Sequence, residues 1–176
     1  MRWSYYLSGL QICVVSINVQ RLEVPPGSDD NVDRAWNLKE RIRRTEGVLR
    51  QRRSFFTTAY ERATVFLYLD RSADRLVGFA TVRRDGYILF LAVDPDYRGQ
   101  GFGERLVASV AERHATVTCH ARTTNRNALA FYESLGFEIQ QQIDGYYEDG
   151  GDAYYLQLGE APSIRERLAD RFTIGE

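Results

Sequence analysis

The spacing of apolar and polar positions changes several times along the chain, and each change marks an element. Residues 16–24 alternate well enough for a first strand, and Pro25-Pro26-Gly27-Ser28 ends it because tandem proline cannot continue a ladder. Helical spacing follows over 29–44, with Val32, Ala35, Trp36, Lys39 and Ile42 near one face, and again over 49–62, with Gly47 as the break. From Thr64 the period shortens. Three apolar or β-branched runs, 65–69, 75–83 and 87–93, are split by Asp70-Arg71-Ser72 and Asp85-Gly86, which predicts an antiparallel meander. The run Ile88-Leu89-Phe90-Leu91-Ala92-Val93 is apolar on both faces, as suits a central strand covered from each side, and Asp94-Pro95 stops it. Helical spacing returns over 101–114, where Phe102, Leu106 and Val110 are four apart. A strand over 116–121, a shorter helix over 125–134 closed by Gly136, and strands over 137–142 and 153–158 complete the pattern. The order predicts a mixed α+β fold over residues 15–159, with six to seven strands, mostly antiparallel, and about four helices. Residues 1–14 read as a possible extension. Residues 160–176 read as a helical tail, with Ser163 and Glu166 as a capping box ahead of a weak stripe of Ile164, Leu168 and Phe172.

Composition narrows the picture. A chain of 176 residues that is 44% hydrophobic has enough apolar material for one compact core. Lys+Arg at 23 against Asp+Glu at 24 leaves a net charge of -1, so the molecule as a whole recruits neither nucleic acid nor an anionic membrane, and any phosphate binding has to be local. Cys13 and Cys119 provide neither a disulfide framework nor a zinc spacing, so no metal is expected and a reducing cytoplasm is. The apolar first 24 residues are interrupted by Ser4, Ser8, Gln11 and Ser16, which argues against a cleaved signal, and no window reaches the length of a membrane span.

The stretch 94–103 reads D-P-D-Y-R-G-Q-G-F-G between the buried strand and an amphipathic helix. A strand ending beside a helix N-terminus leaves backbone N–H groups unpaired, and the helix dipole adds partial positive charge, an environment that fits a diphosphate. Gly99, Gly101 and Gly103 would let the backbone approach phosphate oxygens, and Arg98 could donate from one side. The plainer alternative is a glycine-rich turn that caps a helix. A P-loop is excluded because the Gly-Lys-Ser/Thr ending is missing, and a dinucleotide fold because the motif follows a meander late in the chain.

These residues resemble a known family. Arg98-Gly99-Gln100-Gly101-Phe102-Gly103 is similar to the pyrophosphate motif of GNAT N-acetyltransferases, and 125–137, N-R-N-A-L-A-F-Y-E-S-L-G-F, is similar to that family's next helix and turn. The resemblance is clearest over 76–158. It implies a sheet splayed between the strand ending at Val93 and the strand 116–121, with acetyl-CoA inserted in the gap. Backbone groups at Leu91 and Val93 would meet the pantetheine arm, the 98–103 loop would hold the diphosphate, and Asn125 would add a polar contact.

Amine acetylation needs a neutral amine, stabilisation of developing charge on oxygen, and a proton for the departing thiolate. Tyr132 lies seven residues after Asn125 on one predicted helix, hence on one face, which suits a proton donor near the sulfur; the alternative is a core tyrosine. His120, between Cys119 and Ala121, could accept the proton of an α-amine, directly or through water; a structural histidine is the alternative. The resemblance adds a partner. RimI-type enzymes usually carry a glutamate here, whereas the NatE catalytic subunit type pairs a histidine with a tyrosine at the position of Tyr87, and this chain has both His120 and Tyr87. Cys119 should turn away from the His120 side as a buried small hydrophobe, so direct transfer is expected, without an acyl-enzyme.

Residues 146–153, Y-Y-E-D-G-G-D-A, resemble the tyrosine-pair loop of RimI-like enzymes and of NatA and NatE catalytic subunits, in which the tyrosines border the peptide N-terminus. Tyr146 and Tyr147 would bind a peptide substrate, and Glu148 and Asp149 would favour an arriving cationic amine. The expected protein is a cytoplasmic acetyl-CoA-dependent N-acetyltransferase, monomer or homodimer, acting on a protein or peptide N-terminus. Acetylation of a small-molecule amine and a non-catalytic acetyl-CoA sensor stay open as alternatives.

Overall fold

The computed structural model describes residues 18–159. The strands are β1 (Val19–Val24), β2 (Thr64–Asp70), β3 (Arg75–Val82), β4 (Tyr87–Val93), β5 (Val117–Arg122), β6 (Phe137–Ile143) and β7 (Ala153–Leu158); the helices are α1 (Val32–Glu46), α2 (Arg53–Arg62), α3 (Phe102–Ala111) and α4 (Arg126–Ser134). The strands form one sheet in the order β1-β2-β3-β4-β5-β7-β6. All its pairings are antiparallel except that of β4 with β5. The mixed α+β architecture expected from the pattern is the one observed. The proposed extension, the tail with its capping box, Cys13, and the start of the first strand at Ser16 lie outside the described residues.

Strand alternation divides the core between the two faces of the sheet. On one face Val65, Leu67, Leu69, Phe79 and Phe90 meet Ala35, Leu38 and Ile42 of α1 and Phe56 and Tyr60 of α2. On the other, Phe66, Ala80, Val82, Cys119 and Leu156 meet Leu106, Val107 and Val110 of α3 and Tyr132 of α4. Lys39, on the buried side of α1, is fully enclosed; its ammonium donates to the Gln51 carbonyl and Glu40 and lies 4.4 Å from the Trp36 ring centroid. Burial pulls its pKa down, and three partners offset that cost.

Some boundaries differ from the sequence reading for local reasons. α1 starts at Val32, not at residue 29, because Asn31 is left-handed at φ 65°. α2 starts at Arg53, not at residue 49, because Leu49 at φ 55° cannot continue a right-handed helix.

One irregularity shapes the centre of the sheet. Thr81 pairs with Phe90 and Val82 with Ile88, so Leu89 is an extra residue in β4. A bulge bends its strand and increases the local twist. The parallel pairing of β4 with β5 covers only Tyr87↔Thr118 and Ile88↔Cys119 and ends where this bulge begins. Beyond it, residues 89–93 of β4 and 120–122 of β5 run on without a ladder between them. The result is a cleft that opens toward the C-terminal ends of both strands.

The turn between β3 and β4 holds the closed end of that cleft. Gly86 sits at φ +81°, and a Cβ there would come within 2.3 Å of the Thr116 carbonyl oxygen, while its own carbonyl accepts from Thr118. We expect Gly86→Ala to cost about 3 kcal/mol through combined backbone strain and overpacking, seen as a lower urea midpoint at unchanged m-value. A midpoint equal to wild type would refute this.

Candidate active site

The loop from β4 to α3 is anchored at its start and open at its end. Asp94 is almost fully buried and accepts from Arg41 of α1 at 2.8 and 2.9 Å and from Arg75 of β3 at 2.6 Å. Tyr97 is buried too and donates to Asp70 at 2.8 Å. These contacts fix Pro95–Tyr97 as a single 3₁₀ turn capped by Asp94, after which the chain rises into Gly99 at φ +73° and Gly101 at φ +79°. A Cβ at either would meet nothing within 4 Å. Gly101 is the N-cap of α3 and, having no side chain, supplies no side-chain cap to the first-turn amides. Gln100 is exposed beside them.

Other residues expected at the phosphate loop are differently engaged. The Phe102 ring is buried against Tyr68 and Tyr97, so only its main chain belongs to the loop. Gly103 serves packing, since a Cβ there would lie 3.1 Å from the Phe131 ring of α4. Arg98 pairs with Glu46 at 2.8 Å and donates to the Val93 carbonyl at 3.3 Å, which holds it across the end of β4. Leu91 and Val93, both half-buried, lie in the stretch of β4 that pairs with β3 but has no ladder to β5. The Asn125 side chain caps α4 by accepting from the Ala128 amide at 3.2 Å, so its oxygen already has a structural task.

The sequence-predicted pair Tyr87 and His120 meets across the closed end of the cleft. Tyr87 Oη is 2.7 Å from His120 Nδ1. The imidazole stacks on Tyr146, with centroids 4.3 Å apart and planes 9° from parallel, and Tyr155 flanks it at 5.0 Å. Burial lowers the His120 pKa, so the ring is neutral at physiological pH. Burial, aided by the hydrogen bond to Tyr146, drives the Tyr87 pKa far upward, so that hydroxyl keeps its proton.

Tyr132 and Cys119 lie in the apolar layer under α4. The Tyr132 ring packs against Phe131 and Phe137, and its hydroxyl bonds to the Cys119 thiol. Burial raises both pKa values, that of Cys119 to about 12 and that of Tyr132 well above its ordinary value. Cys119 is therefore held as a thiol, which argues against nucleophilic use. Tyr132 likewise keeps its proton.

The tyrosine-pair loop differs from expectation in its charge. Asp149 pairs with Arg122 at the end of β5 at 2.9 Å and with Arg50 of the α1–α2 loop at 2.8 Å. Hydrogen bonding to Arg122 is the main cause of its lowered pKa. With two arginines on one carboxylate, Asp149 is not available to attract an incoming amine, contrary to the sequence reading. Arg122 also lies over the Tyr147 ring at 3.9 Å, and a Cβ on Gly151 would collide with it. This Arg50–Asp149–Arg122 bridge, which joins the α1–α2 loop to the β6–β7 loop, had no signal in the sequence beyond the acidic pair itself.

Comparison with known proteins agrees with the fold. Residues 61–139 match the family model for the acetyltransferase (GNAT) domain. N-alpha-acetyltransferase 30 of Schizosaccharomyces pombe is 32% identical over 102 residues, covering 51% of this chain and 67% of that protein. The ribosomal-protein-S18-alanine N-acetyltransferase of Escherichia coli superposes with a TM-score of 0.64 at 26% identity, covering 80% of this chain and 92% of that one. Arabidopsis thaliana Naa50, solved with the bisubstrate analogue CoA-Ac-MVNAL, gives a TM-score of 0.60 at 25% identity, covering 81% of this chain and 99% of that one. The chain belongs to the GNAT acetyltransferase family. It spans less than a third of the length of the first curated relatives it matches, 28% of a Mycobacterium leprae protein and 29% of N-alpha-acetyltransferase 30 from Xenopus laevis.

Proposed function

We propose that this protein is an acetyl-CoA-dependent N-acetyltransferase that acts directly on the N-terminal α-amine of a protein or peptide. The observation that carries the reading is the cleft where β4 and β5 part, with the N-terminus of α3 at its open end and the Tyr87–His120 pair at its closed end. Kinship with proteins named N-alpha-acetyltransferases, and likeness to a neighbour solved with a coenzyme A–peptide conjugate, support the choice of acceptor. A cytoplasmic setting belongs to the same proposal.

The residues present fit coenzyme A. The positive φ and open surroundings of Gly99 and Gly101 leave room for a diphosphate against the α3 amides, with Arg98 beside it. The edge of β4 that has no ladder to β5 leaves main-chain groups at Leu91 and Val93 for an amide-bearing arm, with the Val93 carbonyl shared with Arg98. Bound there, acetyl-CoA supplies an activated acetyl thioester. His120 accepts the proton of the incoming amine at Nε2, while Tyr87 holds Nδ1. Tyr132 Oη, kept protonated by burial, would hand its hydrogen to the departing sulfur and regain one from solvent, while His120 releases the amine proton to solvent. Tyr147, fixed beneath Arg122, borders the acceptor's path.

Two measurements test this. With acetyl-CoA and short peptides, mass spectrometry should find acetyl on free α-amines and none on α-blocked peptides that carry a lysine; transfer only to lysine or to small amines would reject the acceptor assignment. Tyr132→Phe should lower kcat by roughly 10-fold to 100-fold, the low end of general acid catalysis, with acetyl-CoA affinity little changed. Unchanged kcat would remove the acid role.

A further inference from the structure

We infer that Tyr146 is a positioning residue for the base: its hydroxyl takes the Tyr87 hydrogen and its ring lies flat on His120, which together hold the imidazole in the tautomer with hydrogen on Nδ1 and a free lone pair on Nε2. The inference rests on His120 being the base of the proposed reaction. It separates two tyrosines that the sequence grouped together as substrate contacts.

The argument is a count of hydrogens. Between Tyr87 Oη and His120 Nδ1, 2.7 Å apart, there is room for one. If Tyr87 donates, the ring nitrogen Nδ1 is an acceptor, and a neutral imidazole must then carry its own hydrogen on Nε2. Such a ring has no lone pair for an amine. If Nδ1 donates instead, Nε2 is basic, but the Tyr87 hydrogen must find another acceptor. Tyr87 is half-buried, and a hydroxyl hydrogen left unpaired there carries a desolvation cost. Among the described residues, the other group that the Tyr87 hydroxyl reaches is the Tyr146 hydroxyl, at 3.5 Å. That hydroxyl is the acceptor the second arrangement requires, and with the Tyr87 hydrogen turned to it Nε2 of His120 is free.

The ring of Tyr146 supports the same arrangement. Its parallel stack on His120 restricts rotation of the imidazole, so Nδ1 remains aimed at Tyr87. The loop that carries it is well fixed: Gly145 donates to Asp152 at 2.9 Å, Tyr147 donates to the Gly151 carbonyl at 3.0 Å, and Asp149 is held by Arg122. Tyr147, nearly perpendicular to Tyr146 at 88°, turns to Arg122 instead. One tyrosine therefore serves the base and the other faces the bridge at the cleft mouth.

The chain has two histidines, so a spectrum of histidine-labelled protein contains His120 and one internal control, His114. In the wild type, the imidazole ¹⁵N shifts should show His120 Nε2 as the unprotonated nitrogen. Tyr146→Phe keeps the ring and removes the hydroxyl; it should move the hydrogen to Nε2, leave His114 unchanged, and lower kcat about 10-fold with peptide KM within about 2-fold. A wild-type His120 already protonated on Nε2, a tautomer indifferent to Tyr146→Phe, or a raised KM at constant kcat would each overturn the assignment, the last marking Tyr146 as a peptide contact. If the tautomer switches but no amine is acetylated by the wild type, the proposed function fails and the control of the tautomer stands.

Discussion

Removing the imidazole with His120→Ala is expected to lower kcat/KM toward a peptide by roughly 10²- to 10⁴-fold, the usual range for loss of a positioned base. The loss should depend on pH in a defined direction. An α-amine has a pKa of about 8, so below that value most of the acceptor is protonated and needs a base. Burial lowers the His120 pKa, so the ring stays able to accept a proton into mildly acidic conditions. The wild-type rate therefore falls on the acid side only as pH drops through a value below that of an ordinary histidine. In the variant the rate follows the free-amine fraction alone, so the deficit is largest at mildly acidic pH and shrinks above about pH 8. Equal profiles for the two proteins would remove His120 from the chemistry.

The second large effect concerns the phosphate loop. Gly101→Val places a β-branched residue at φ +79°, a conformation such residues adopt only under strain. The strain costs about 1–2 kcal/mol, and α3 is held by Leu106, Val107 and Val110 in the core, so the protein stays folded. The strain is relieved by rotating the loop, which turns the first-turn amides of α3 away from the cleft. Acetyl-CoA affinity should fall at least about 100-fold, equivalent to 2.7 kcal/mol. Calorimetric titration measures this directly, and a dissociation constant equal to wild type would show that the glycine is a mere turn residue.

Much of the architecture was legible because it depends on local periodicity. The meander from Thr64 to Val93, the four-residue spacing of Phe102, Leu106 and Val110, and the stop at Asp94-Pro95 all appear where the pattern placed them. The glycine motif was legible because backbone conformation restricts residue type: Gly99 and Gly101 are left-handed, as is Gly136 after α4. Long-range features were not. The bulge at Leu89 sits in a run of six apolar residues, so nothing local marks which one is extra, and its effect depends on pairing with β3 and β5. Gly103 and Asn125 carried the right residue types for a cofactor site, yet their neighbours assign them to helix packing and capping. Arg50 and Arg122 are 72 positions apart in the sequence, and only the fold brings them to one carboxylate. Parting of the sheet was expected from family resemblance, and its physical cause became visible only with the strand register.

Hydrogen–deuterium exchange with and without acetyl-CoA is the most direct test of the cleft as the coenzyme site. Slower exchange is expected at residues 89–93 of β4 and at 99–104 around the start of α3, with little change in β1 and β2. Saturating acetyl-CoA that leaves both segments exchanging as in the free protein would contradict the account.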